Sequence, residues 1–283
     1  MFCKTIYFFL LGKIGVDSFL CMKISLIGAG NLATNLGRAL VKAGHTVCQV
    51  YSRTQASADA LALKLDSRGV SDLAEVVTDA QLYIVALKDS ALPEVLPVLL
   101  NGRSHALWVH TAGSVPMSIW PEHGLKHYGV LYPMQTFSKA REVDFSDIPF
   151  FLEASGKMEM DILKNVATSM SRQVHEADSE QRRYLHLSAV FACNFANAMY
   201  TASARLLEEH GLSFEAMLPL IDETARKVHT LHPAEAQTGP AVRYDRNVID
   251  KHLAMLDNHP LYKELYELTS RIIHEETLTL PGR

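Results

Sequence analysis

The 283-residue chain predicts an α/β fold, a mainly parallel sheet followed by an all-α second domain, on three observations. The stretch Gly28-Ala29-Gly30-Asn31-Leu32-Ala33 lies between an apolar strand over residues 23–27 and an amphipathic helix. Strand and helix patterns then alternate as far as residue 177, the signature of a doubly wound sheet. Beyond Asp178 the pattern is helical only.

The glycine motif comes first in the chain. Its first glycine permits a tight turn, its second lets backbone N–H groups approach a pyrophosphate, and Ala33 lets helix pack closely on strand. The helix N-terminus then faces the phosphates. Roughly 20 residues further on, where a ribose is read, the apolar run 46–50 ends in Tyr51-Ser52-Arg53-Thr54, with no carboxylate at the strand end. Two hydroxyls and a guanidinium suit a phosphate dianion. The motif therefore predicts NADP(H), held by Gly28, Gly30, Asn31, Leu32, Ala33, Ser52, Arg53 and Thr54. The competing reading is a turn whose glycines serve only the backbone, with Arg53 solvated.

Residues 31–43 form the first crossover helix, closed by Gly44, a favoured residue just past a helix end. Residues 54–65 form the second, followed by strands near Val70 and at 82–87. Residues 91–100 read as a helix, with Pro93 tolerated in its first turn and Pro97 as a kink or early end. Strands at 106–110, 129–132, 150–153 and 173–176, with a helix at 158–170, complete a Rossmann-type domain over residues 22–177. Asp178 with Gln181 then has capping-box spacing. Helical periodicity runs from there to His210 and stops at Gly211; such a helix would be about 48 Å long and needs a partner along its length. Residues 178–283 are accordingly read as a helical domain that binds substrate and forms a homodimer.

Composition narrows the class. Charged residues make up 20% of the chain and the net charge is −4, so there is neither a basic footprint for nucleic acid nor a polybasic patch for a membrane surface. Cys3, Cys21, Cys48 and Cys193 lack paired zinc or redox spacing and read as reduced thiols in a cytoplasmic protein. Near the start, the apolar run 6–11 follows Lys4 but is too short to span a membrane. Lys13 and Asp17 interrupt the stretch after it, and no small-residue cleavage site is evident. Residues 1–21 are read as an extension outside the fold, with Met22 as the start.

Four further segments carry a family resemblance: His110-Thr111-Ala112-Gly113-Ser114, Pro133-Met134-Gln135-Thr136-Phe137, residues 186–194, and Thr238-Gly239-Pro240 followed by Arg243 and Asp245. On these the chain resembles bacterial NADP oxidoreductases that join a Rossmann-like domain to a helical domain of unknown function. The wider group includes pyrroline-5-carboxylate reductases, deazaflavin-dependent NADP reductases and 6-phosphogluconate-type β-hydroxyacid dehydrogenases. The resemblance covers nearly all of residues 22–256 and implies fold and cofactor, with no established substrate.

Hydride transfer belongs to the nicotinamide, so the protein must supply orientation, a proton donor or acceptor, and exclusion of water. Ligands of open α/β sheets bind at the carboxyl ends of the strands. Thr111 and Ser114 lie at that edge after one strand, with Gly113 allowing close approach, and Leu87 and Lys88 lie after the next. Thr111, Leu87 and Lys88 are read as cofactor contacts and Ser114 as a substrate contact; the plainer reading is a turn capped by Ser114 and a solvated Lys88.

Positions 186, 190, 194 and 197 share one face of an α-helix. His186, Asn194 and Asn197 there either satisfy one another or line a cleft. In a cleft, His186 is the proton donor to a carbonyl or imine, Asn194 orients the substrate and Asn197 contacts it. The corresponding helix of β-hydroxyacid dehydrogenases bears a catalytic lysine, and this helix has none. Gln135 and Arg243 are further candidate substrate contacts; Arg243 suits a carboxylate or pairs with Asp245 across a loop. His229 and His232, three apart, lack a matching carboxylate or cysteine, so no metal is expected. Two functions remain: an NADP(H)-dependent oxidoreductase acting on a small polar, carboxylate-bearing carbonyl or imine, or a non-catalytic NADP(H)-responsive binding protein. A serine hydrolase is disfavoured, because Ala112-Gly113-Ser114 lacks the flanking glycine of a nucleophile elbow.

Overall fold

The computed structural model describes residues 21–279, and the reading of residues 1–21 as an extension lies outside them except for Cys21. The chain divides into two compact units, the first ending at Cys193 and the second beginning at Asn194.

The first unit is built on one eight-stranded sheet. Its strands are β1 (Lys23–Ile27), β2 (Thr46–Tyr51), β3 (Arg68–Val70), β4 (Leu82–Val85), β5 (Leu107–His110), β6 (Tyr128–Pro133), β7 (Phe150–Ala154) and β8 (Val174–Glu176). The spatial order is β3-β2-β1-β4-β5-β6-β7-β8, parallel at every pair but β6–β7. Runs such as Leu82-Tyr83-Ile84-Val85 are apolar throughout because both sheet faces are covered. Alternate residues serve opposite faces: Leu82 and Ile84 join one hydrophobic cluster, Tyr83 and Val85 the other. Tyr83 and Trp108 stack at 4.2 Å on the second face, and Trp120 closes it by donating its indole N–H to the Gly129 carbonyl.

Helices α1 (Asn31–Lys42), α2 (Gln55–Ala62), α3 (Leu92–Leu99) and α4 (Lys157–Thr168) fill the connections. On α1 the buried stripe Ala33, Leu36 and Leu40 follows the helical repeat. The helix boundaries lie within a few residues of the sequence reading, and two of them have a plain cause. A 3₁₀ turn, Leu63–Leu65, takes over the end of the second crossover. Helix α3 runs two residues past Pro97, since a proline there forfeits only one hydrogen bond near the helix end.

Helix α5 (Ser179–Ala189) opens with the expected capping box: Gln181 N donates to Asp178 Oδ1 at 2.8 Å, and Asp178 N to Gln181 Oε1 at 3.0 Å. The long helix expected from there runs on to Glu208, two residues short of the expected end, but its pitch is not uniform. A π-helical turn occupies Val190–Phe195, and α6 follows over Ala196–Glu208.

The second unit comprises α6, α7 (Leu218–Lys227), the short α8 (Pro233–Ala236), α9 (Arg246–Met255) and α10 (Pro260–Leu278). Its own core is slight. Among the described residues only Ala241, Ile249 and Leu256 are buried hydrophobics there, while Leu220, Met255, Leu261 and Leu278 are each more than 60% exposed. An apolar groove of about 520 Å³ runs between Leu206, Tyr262, Leu265, Tyr266 and Ile273.

Candidate functional site

The strand order reverses around β1 and β4, which places a crevice at their carboxyl ends. Three loops leave that edge in hydrogen-bonded succession: Gly28 N donates to Tyr51 O, Ala86 N to Ile27 O, and Thr111 N to Val85 O. Gly28 has φ +126°, and a Cβ there would overlap the Ala86 carbonyl oxygen, so both conformation and packing require glycine. Gly30 is the opposite case. Its φ of −78° suits any residue, and a Cβ would meet nothing within 4 Å. Nothing among the described residues demands a glycine there. Gly30 also precedes an α1 N-terminus with no side-chain cap and no acid in its first turn. Free N–H groups facing open space fit a pyrophosphate.

At the end of β2, Arg53 is exposed and has no hydrogen bond or ion pair among the described residues. Thr54 Oγ1 donates to Ser57 Oγ at 2.8 Å, and Ser52 N bonds the Val70 carbonyl. Lys88 is exposed and precedes a short 3₁₀ turn, Asp89–Ala91. Leu87 is half-buried beside Gly28. Thr111 is buried at the edge of β5.

The loop after β5 meets α5 directly. A Cβ on Gly113 would lie 2.8 Å from Cβ, Cγ and Nδ1 of His186. The absent side chain therefore makes room for this imidazole, which sequence reasoning had allotted to a ligand. His186 is half-buried, and its Nδ1 lies 3.3 Å from the Tyr132 hydroxyl of β6. Burial raises the Tyr132 phenol above its ordinary range, against the pull of the Arg182 charge.

Arg182, one turn before His186, anchors this corner. It is fully buried, its Nη1 donates to Glu153 of β7, and its Nη2 donates to the Val115 carbonyl at 2.6 Å. Ser179 closes the network by donating to Glu153 at 2.8 Å and accepting from Met117 N at 2.9 Å. These bonds fasten α5 to the β5 loop and hold His186 against it.

His110 lies behind the loop, buried and stacked on Trp120 at 5.8 Å. Burial, with the charge of Arg182, pushes its pKa down to about 3 from an ordinary 6.5. Between those values the unfolded chain takes up a proton that the folded one refuses, so stability falls as pH is lowered through this window. His110→Phe keeps a ring against Trp120 and is expected to flatten part of that decline. Urea midpoints measured across the window would show it; an unchanged slope would assign the decline to other groups.

The other candidates are placed less tightly. The Ser114 hydroxyl donates to Asp89, and Gln135 Oε1 accepts from Thr136 N at 2.7 Å, so both side chains already have protein partners. In the second unit Arg243 is exposed and forms no ion pair among the described residues. Asp245 caps α9 through Val248 N, and the alternative reading, an Arg243–Asp245 pair, is not formed. Asn194 and Asn197 are exposed. Their alignment with His186 assumed an unbroken repeat of four residues, and the π-turn, bonded five apart, interrupts it. His232 caps α8 through Nδ1, and no cluster of three metal-binding side chains occurs among the described residues. Sequence reasoning missed Tyr132, Glu153 and Arg182. The signal lay upstream: Ser179, Arg182 and His186 follow the i, i+3, i+7 repeat of one helix face.

A family model described as NADP oxidoreductase, coenzyme F420-dependent, matches residues 23–111, and one for a domain of unknown function (DUF2520) matches residues 148–273. The chain is 58% identical to a Bacteroides fragilis protein provisionally assigned as an NADP oxidoreductase. That match covers 91% of this chain and 100% of the other, with a TM-score of 0.88. The fold recurs in an imine reductase from Myxococcus stipitatus solved with NADP+ (16% identity, TM-score 0.64, covering 89% and 93% of the two chains). It recurs again in a pyrroline-5-carboxylate reductase from Coxiella burnetii (18%, 0.56, 91% and 98%). No curated protein matches the chain. Sheet order, glycine loop and helical second unit define a Rossmann-like, NADP(H)-binding oxidoreductase fold. Within that class, the chain belongs to the family of the Bacteroides protein.

Proposed function

We propose that this protein is an NADP(H)-dependent oxidoreductase that transfers hydride to or from a small polar carbonyl or imine substrate, with His186 as proton donor. The observation that carries the proposal is the seating of His186 on Gly113. It brings a titratable side chain to the carboxyl edge of the sheet, in the same compact unit as the open glycine loop. When bound, the nicotinamide supplies the hydride. Gly28, Gly30 and the first turn Asn31, Leu32 and Ala33 would hold the pyrophosphate, and Ser52, Arg53 and Thr54 the 2′-phosphate. Leu87, Lys88 and Thr111 would wall the nicotinamide ribose. Asn194 would orient the substrate; Ser114, Gln135, Asn197 and Arg243 would contact it, the last through a carboxylate.

A homodimer through the helical unit is part of the same proposal. A unit with three buried hydrophobics among its described residues and an open apolar groove leaves its apolar surface for a partner. Among the described residues no helix is long and apolar enough to cross a membrane, and we place the protein in the cytoplasm, where its cysteines stay reduced.

The first test is a thermal-shift titration with NADPH and NADH. At a hundredfold excess over its dissociation constant a ligand stabilises by about 2.7 kcal/mol. Preference for NADPH should shrink in Arg53→Ala, and a screen of carbonyls and imines should find NADPH oxidation that His186→Ala abolishes. No shift with either nucleotide would end the oxidoreductase reading; binding with no turnover of any such compound would leave the binding-protein alternative.

A further inference from the structure

We propose that Tyr132 is the positioning residue of this site: its hydroxyl donates to Nδ1 of His186, so that the imidazole carries its proton on Nε2. The inference deepens the reading of His186 as proton donor and rests on it.

Three observations support it. The hydroxyl and Nδ1 are 3.3 Å apart, the long end of hydrogen-bonding range, and catalytic hydrogen bonds commonly tighten only when ligand is bound. The imidazole is flanked on two sides: the loop backbone runs close enough that a Cβ on Gly113 would lie 2.8 Å from its Cβ, Cγ and Nδ1, and the ring of Tyr132 meets it edge-on, 6.3 Å between centroids. Finally, Tyr132 is buried, with Arg182 and Cys193 as the charged or titratable neighbours besides His186. Burial keeps the proton on this phenol against the pull of the guanidinium, and among the described residues the hydroxyl has one hydrogen-bond partner, the imidazole nitrogen.

The direction of this bond decides what the other nitrogen can do. His186 Nε2 has no hydrogen-bond partner among the described residues. With Nδ1 occupied as an acceptor, Nε2 bears the hydrogen that a substrate oxygen or nitrogen would receive. During reduction the Nε2–H bond breaks as the new O–H or N–H bond forms on the substrate. Nδ1 takes the phenolic proton in the same step, and water returns a proton to the Tyr132 oxygen.

The tautomer can be read without any substrate. In ¹⁵N-histidine-labelled protein, long-range correlation spectra distinguish a protonated ring nitrogen from a bare one, and comparison with His186→Gln assigns the His186 signals among the 13 histidines. At alkaline pH the wild type should show a bare Nδ1 and a protonated Nε2. In Tyr132→Phe the Nδ1 resonance should move toward the protonated range as the two tautomers mix. A wild-type Nδ1 that is protonated, or a Tyr132→Phe spectrum identical to wild type, overturns the inference. If the variant does not fold, a protonated Nδ1 in the wild-type spectrum still overturns the inference. Should the tautomer prove fixed by Tyr132 while His186→Ala keeps full NADPH turnover, the proton-donor reading fails and the positioning result stands.

Discussion

Arg182→Met is expected to destabilise the protein by about 3 kcal/mol, the lower end of what breaking a buried ion pair costs. The guanidinium is wholly buried and Glu153 nearly so, at 16% side-chain exposure. Without it, Glu153 keeps only the Ser179 hydroxyl, and the Val115 carbonyl loses its donor. Methionine fills much of the volume but satisfies neither group. Urea denaturation would measure the loss, and adding Glu153→Gln should restore part of it, because a neutral amide tolerates burial without a counter-charge. A loss below about 1 kcal/mol, the size seen for solvent-exposed pairs, would show that this pair is hydrated in solution. Its consequence would reach the site, since Arg182 ties α5 to the loop on which His186 rests.

Gly30→Thr should separate binding from folding. Threonine is about as good as glycine at a helix N-cap, and the backbone angles of Gly30 accept a β-branched residue. The folded apo-protein should therefore melt within a few degrees of wild type. The new side chain would fill the open space in front of α1, where the pyrophosphate is expected, and NADPH affinity should fall by about 100-fold, equivalent to about 2.7 kcal/mol. Calorimetric titration reads the affinity directly. Undiminished binding in the variant would remove the glycine loop from the cofactor site. Gly28 cannot serve the same purpose, because its packing against Ala86 makes any substitution a folding lesion.

Most of the sheet was legible because its signals are local. Apolar runs such as Leu82 to Val85 end at turn-forming residues, and the strands stop within two residues of where those runs predict. The capping box at Asp178 is local too, and it formed. The site was less legible because its bonds join distant parts of the chain. Arg182 draws on Glu153 and Val115, and Tyr132 sits inside an apolar strand with nothing nearby to mark its hydroxyl. The role of Gly113 could not be foreseen either: a glycine that accommodates an imidazole looks the same in sequence as one that accommodates a ligand. The π-turn has no marker in Val190-Phe191-Ala192-Cys193-Asn194-Phe195, since no glycine or proline interrupts it.

That turn also governs how residues are equated between this chain and its distant relatives. A π-turn closes its hydrogen bonds five residues apart and so holds about one residue more than an α-turn, without breaking the helix. Counting forward from His186 in a relative with an unbroken helix would therefore name the wrong neighbour for every position after Phe195. Any comparison of the asparagines beyond that point needs a one-residue gap inside the helix, a place where alignment methods are penalised for opening one.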